Sequence, residues 1–160
     1  MIKFANPTKA SKPKTKDSEK MAYAYAALLT VLVLCQLFTF DEFLNLLISF
    51  NLPGGEVMAN LVGSLIVISE VFALPFLLKI DLSPLMRIVS MVFSWIVPAT
   101  WLKLAIWLVA NGNYGLNFGL LGTLVDLNIG WWAIFFSSAM CVMAIWSSWG
   151  LWPIQKPAKK

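Results

Sequence analysis

Four long runs of apolar residues, at about 22–40, 57–78, 88–110 and 130–152, are separated by polar residues, prolines and glycines. Each approaches or exceeds the ~20 residues a helix needs to cross the hydrocarbon core of a bilayer. Length rather than periodicity decides here, because a helix surrounded by lipid and protein is apolar on every side. The pattern predicts an all-α membrane protein: a four-transmembrane-helix bundle over residues 21–152, flanked by tails at 1–20 and 153–160.

The connections differ from one another. Residues 40–50 read FDEFLNLLISF, with Phe40, Phe43, Leu44, Leu47 and Ile48 on one helical face. That spacing predicts a short helix lying at the outer interface, and Asn51-Leu-Pro-Gly-Gly55 after it is a turn signal. Residues 111–128 carry Gly112, Gly115, Gly119 and Gly122 among apolar and aromatic residues. This Gly-rich segment before the fourth helix is too apolar for a solvated loop and too rich in glycine for a helix. It is expected to fold back onto the outer helix ends, since irregular backbone at membrane depth needs protein or water partners. No internal repeat is evident.

Composition agrees with the pattern. Of 160 residues, 59% are hydrophobic and 12% charged, against roughly half and a quarter in soluble domains. The length fits one domain and excludes a large multidomain enzyme. There is no histidine, which removes the commonest transition-metal ligand, the usual haem ligand and the usual general base. Neither a metal nor a haem is expected, no catalytic residue is assigned, and an enzyme acting alone is not expected. Cys35 and Cys141 are too few for a disulfide framework or a cysteine-rich metal site.

Charge orients the bundle. The first 20 residues hold Lys3, Lys9, Lys12, Lys14, Lys16 and Lys20 among Pro, Ser and Thr, which predicts a flexible basic tail. The first apolar run ends in Phe40-Asp41-Glu42 without a small-residue cleavage site, so it is expected to be retained rather than removed as a signal peptide. Lys79, Arg87, Lys156, Lys159 and Lys160 fall on the same side as the first tail if there are four crossings, whereas Asp41, Glu42, Glu56 and Asp126 fall on the other. The bias towards Lys and Arg on one side predicts two cytoplasmic termini. Trp107, Trp131 and Trp132 near the outer boundary, and Tyr23, Tyr25, Trp149 and Trp152 near the inner one, form the expected aromatic belts. Basic residues beside membrane helices are attracted to anionic lipid at about 1 kcal/mol each. The net charge of +4 therefore points to the bilayer and not to nucleic acid.

Glu70 is the most informative residue, because a carboxyl inside a span must face the bundle interior and find a partner. At 100° per residue, Asn60, Gly63, Ser64, Val67 and Glu70 share one side of the second span. Two readings of this polar seam stand together: a proton or ligand site, and a protonated or hydrogen-bonded Glu that locks helices. Pro75 releases the backbone carbonyl of Val71, and Pro98 that of Ser94. Such groups either build a polar pocket or are re-satisfied by neighbouring helices. Lys103, the basic residue inside a span, is a candidate counter-ion for Glu70. However, it lies about 10 Å from the outer end of its helix and Glu70 about 20 Å from the outer end of its own, so it could equally snorkel towards Asp126 or Glu42. Cys35 and Cys141 come out at similar depth, which allows a redox pair. Ser137, Cys141, Ala144 and Ser148 instead form the small-residue spacing that lets membrane helices approach closely.

In their order, the amphipathic segment ending in Leu52-Pro53, the second span with LIVISEVFALPFLL and Glu70, and the segment NYGLNFGLLG before the last span resemble the DoxX/MauE-like family of small four-helix membrane proteins. The resemblance covers about residues 25–150. It implies a bacterial inner-membrane location and work beside redox enzymes, such as quinone-linked sulfur oxidation or maturation of a disulfide-rich amine dehydrogenase. Where MauE-type members carry a Cys-Gly-Cys-Phe-Gly-like segment, this chain has Gly115-Leu-Asn-Phe-Gly119, with Tyr114 and Leu116 at the cysteine positions. That departure counts against thiol exchange there.

Three functions follow as expectations. The first is an accessory protein that binds or stabilises a membrane or membrane-associated partner, or assembles with copies of itself. The second is a redox subunit holding a quinone, with Glu70 transferring a proton; a bound lipid is the other ligand considered. The third is a small-molecule transporter, for which four helices would require an oligomer.

Overall fold

The first helix begins where a hydroxyl can cap it. In the computed structural model, which describes residues 9–10 and 12–152, Thr15 Oγ1 accepts the Ser18 N–H at 3.1 Å and the Ser18 side chain reaches back to the Thr15 N–H at 3.4 Å. This capping box starts α1 (Lys16–Phe38), with Asp17 and Glu19 in its first turn where the helix dipole favours negative charge. The helix therefore starts six residues before the apolar run. Residues 16–20 are helix rather than flexible tail, because Lys and Glu are good helix formers once a cap and a packed continuation are supplied. The backbone before the cap is also held: Lys14 N–H bonds to the Gly150 carbonyl at 3.0 Å, and Ala10 N–H to Asp81 Oδ1 at 3.0 Å. The remaining tail expected at 1–8, and that at 153–160 with Lys156, Lys159 and Lys160, lie outside the described residues.

After a one-residue break at Thr39 comes α2 (Phe40–Ser49), which buries Phe43 and Leu47 against α3 (Gly55–Leu77). Ser83 caps α4 (Pro84–Ala110) by accepting the Met86 N–H at 3.3 Å, with Pro84 at the first helical position, where a missing N–H costs nothing. This helix starts four residues before the expected span, so Arg87 lies inside it, buried, and donates to the carbonyls of Lys9 and Leu82. The last helix is α5 (Trp131–Gly150). Four helices, all but α2, are long and apolar enough to cross a membrane. No strand occurs among the described residues, which hold one isolated bridge between Asn117 and Asn128.

The long helices form a ring in the order α1, α3, α4, α5, with α5 returning to α1. On α5 the buried face is made mostly of small residues, Ala133, Ser137, Ala144, Ser147, Ser148 and Gly150, so neighbouring backbones come close. A Cβ on Gly150 would lie 2.2 Å from Ser18 Cβ of α1. The segment between α4 and α5 is built around Asn117. Its Nδ2 donates to Asp126 Oδ1 at 3.1 Å and its Oδ1 accepts the Gly119 and Leu127 N–H groups at 2.9 and 3.2 Å. Phe118, Leu120 and Ile129 are thereby buried. Gly122, at φ +60°, presses on the end of α1: a Cβ there would stand 2.9 Å from the Cys35 carbonyl oxygen.

Charge separates the two ends of the bundle. Residues 9–20, the α3–α4 connection with Lys79, and Arg87 form a basic end, where Lys79 pairs with Glu19 and lies 5.6 Å from the Tyr23 ring. The opposite, acidic end carries Asp41, Glu42, Glu56 and Asp126, together with α2 and the Gly-rich segment.

Candidate functional site

Three helices and the Gly-rich segment meet at Glu70. Its Oε1 accepts the Gln36 Nε2–H of α1 at 3.3 Å and the Trp101 Nε1–H of α4 at 3.4 Å. The same Gln36 amide nitrogen donates to the Leu120 carbonyl at 3.1 Å, so the backbone of residues 111–130 comes within one amide group of the carboxyl. Gln36, Glu70 and Trp101 are each 0% exposed. Over them the Trp101 ring packs 5.0 Å from Phe118 and 6.4 Å from Phe43 of α2, and Phe118 meets Trp132 of α5 edge-on at 5.8 Å. Every helix thus contributes to this centre or to the aromatic layer above it.

The hydrogen bonds are at the long end of the useful range, and the site is not saturated. Glu70 Oε2 and Gln36 Oε1 are buried without a partner, as are, elsewhere among the described residues, the hydroxyls of Ser69, Ser137 and Ser147. Buried polar atoms are normally satisfied. Two facing acceptor groups short of donors call for a proton on the carboxyl or for water.

Hydroxyl groups of this chain take up the backbone loosened by the two prolines. Beside Pro75, Ser90 of α4 accepts the Phe76 N–H at 3.0 Å and donates to the Phe72 carbonyl at 2.6 Å, bridging α3 to its neighbour at the Phe72 carbonyl rather than at that of Val71. The Ser94 carbonyl, freed by Pro98, accepts the Tyr25 hydroxyl of α1 at 2.9 Å, which ties the diagonal of the ring. The Tyr25 contact satisfies the Ser94 carbonyl, and the Ser90 contacts bind backbone next to Pro75.

The rest of the seam does not join Glu70. Asn60 and Ser64 are half-buried, and no hydrogen bond connects either to it; Gly63 between them packs against Leu44 and Leu47 of α2. Lys103 is exposed, and the pairing with Glu70 is not formed. Trp101 takes the inward position, and two further residues along a helix turn the chain by about 200°, which carries Lys103 outward. Nor does Lys103 reach Asp126 or Glu42: the ion pair among the described residues is Lys79 with Glu19. Cys35 and Cys141 are both free and half-buried. Cys35 lies at the Gly122 contact, and Cys141 lines an α4–α5 groove with Trp95 and Pro98. Ser137, Ala144 and Ser148 face inward, and Ser148 Oγ accepts the Trp95 Nε1–H of α4 at 2.5 Å.

Gln36, Trp101 and Ser90 are site residues that the sequence reading passes over, and Tyr25, expected in the inner aromatic belt, is instead fully buried in the bundle. Gln36 does carry a signal, an amide inside an otherwise apolar run. The others look like ordinary core or interface residues until their partners are known.

No protein-family model matches this sequence, and comparisons with curated proteins and with solved structures find no match.

Proposed function

We propose that this chain is a DoxX-like integral membrane accessory protein, a rigid bundle that binds or stabilises a membrane or membrane-associated partner, with a redox complex as the kind of partner the resemblance implies. One observation carries the reading. Its intramembrane carboxyl is spent on tying α1, α3, α4 and the Gly-rich segment together, while the outward helix faces are left apolar, with Phe38, Leu61, Phe135 and Val57 among the most exposed side chains. Within a bilayer such faces associate with another protein through close packing and interhelical contacts.

In this reading the bundle sits in a bacterial inner membrane with both termini cytoplasmic, and α2 lies along the outer interface. The contacts among residues 9–15, the α3–α4 connection and Gly150 support an even number of crossings. Extraction of the tagged protein in mild detergent is expected to recover a partner in fixed stoichiometry. Reproducible isolation of a bare, catalytically active monomer would overturn the proposal. Reporter fusions at the two ends are expected to give cytoplasmic signals for both, and opposite signals would reject this topology.

A quinone-linked redox subunit is the second reading, favoured by the unpartnered Glu70 Oε2 under an aromatic layer. It requires Glu70→Gln to abolish quinol-dependent turnover in a folded protein, whereas the accessory reading expects partner recovery to be unchanged.

A further inference from the structure

On the outside of the bundle a groove of about 380 Å³ opens between α3 and α4 towards the acidic end. Met58, Val62 and Leu65 form one wall, Leu104 and Trp107 the other, and Lys103 is the charged group in the lining. No carboxylate contributes to it. Lys103 is exposed and makes no hydrogen bond or ion pair with the described residues.

An ammonium among apolar side chains is costly unless an anion or water meets it. Its depth narrows the choice. The 27 residues of α4 span about 40 Å, some 10 Å more than the hydrocarbon core. With that excess shared between the ends, Lys103, seven residues before Ala110, lies within about 5 Å of the hydrocarbon boundary. Its flexible stem snorkels outward to the level of lipid phosphates. With the ammonium raised to the level of Trp107, the side chains of Val62, Leu65 and Leu104 lie inward of it, along the course an acyl chain takes from its headgroup.

We propose that this groove binds one phospholipid of net negative charge, its phosphate paired with Lys103 and one acyl chain lying between α3 and α4. The site is separate from the attraction of the basic end for anionic lipid, because it lies at the opposite end of the bundle. It rests on the four long helices standing in a bilayer and is independent of any protein partner.

Native mass spectrometry of the full chain in neutral detergent tests this, with dioleoyl phosphatidylglycerol, dioleoyl phosphatidylcholine and oleate offered at equal concentration. A one-to-one phosphatidylglycerol adduct is expected, retained about tenfold better than phosphatidylcholine, whose choline ammonium offsets the charge of the phosphate and faces the Lys103 cation. Lys103→Met is expected to abolish that preference, Lys103→Arg to keep it, and Val62→Trp to remove the adduct by filling the groove while leaving the charge. Lys79→Gln is expected to change nothing. The proposal is overturned if Lys103→Met keeps the preference, if Lys79→Gln removes it, or if oleate binds as well as phosphatidylglycerol. Thermal unfolding of each variant shows whether it is folded; should Lys103→Met fail to assemble, the Val62→Trp result decides, and an undiminished adduct there rejects the groove.

Discussion

Trp101 donates its indole N–H to the carboxyl oxygen of Glu70 across 3.4 Å, in a region from which both side chains are fully withdrawn from the surface. The contact joins α4 to α3 at the point where α1 arrives through Gln36. Glu70→Leu leaves the Trp101 N–H without its acceptor and is expected to cost about 1–3 kcal/mol. Glu70→Gln keeps an acceptor for both donors and is expected to stay within about 1 kcal/mol of wild type. Unfolding midpoints in detergent check the order; equal losses for Gln and Leu would show that charge rather than hydrogen bonding matters at this position.

Ser90 serves two backbone groups of α3 with one hydroxyl. Ser90→Ala orphans both and is expected to cost about 1–3 kcal/mol. In a Pro75→Ala background the helical ladder can close again, so the same substitution is expected to cost measurably less. The four proteins form a double-mutant cycle, and strict additivity of their unfolding energies would contradict the bridge.

Gly122 combines a left-handed backbone conformation with contact against α1. Gly122→Ala carries the conformational penalty of roughly 1 kcal/mol and pushes the segment off the Cys35 carbonyl. Reduced thermal stability is expected, together with faster proteolysis between α4 and α5. Gly115, where a side chain would meet open space, provides the control, and its alanine variant is expected to resemble wild type.

At the basic end, the hydrogen bond to Glu19 raises the Lys79 pKa above its ordinary 10.5. A group whose pKa is raised by folding contributes its stabilisation below the unfolded value and loses it as pH climbs through the folded one. The pair is partly exposed, so its worth is expected to be about 0–1 kcal/mol. In a pH series at the alkaline end, wild-type stability is expected to fall faster than that of Lys79→Gln, and the two curves are expected to converge. Parallel curves would exclude the contribution.

The four long helices are legible in the sequence because uninterrupted apolar length is a local property, and the run from Val57 to Leu78 falls within a residue or two of α3. Glu70 is equally legible as an interior residue, since a carboxyl facing lipid is too costly. Its partners are not. Lys103 is the counter-ion that charge suggests, but the position facing Glu70 belongs to Trp101, a matter of helix rotation that an all-round apolar helix does not encode. The start of α1 is similarly hidden: hydropathy marks where apolar residues begin, whereas the Thr15 cap decides where the helix does. Pro75 and Pro98 announce loosened backbone, but that Ser90 and Tyr25 answer them depends on contacts between residues far apart in the chain.

The bridge made by Ser90 also restricts how this assembly can flex. Sliding or screwing α3 past α4 would tear one side chain from two anchor points together, whereas the side-chain bond from α4 to α5 runs from Trp95 to a single atom of Ser148. The double anchorage makes α3 with α4 a single strut.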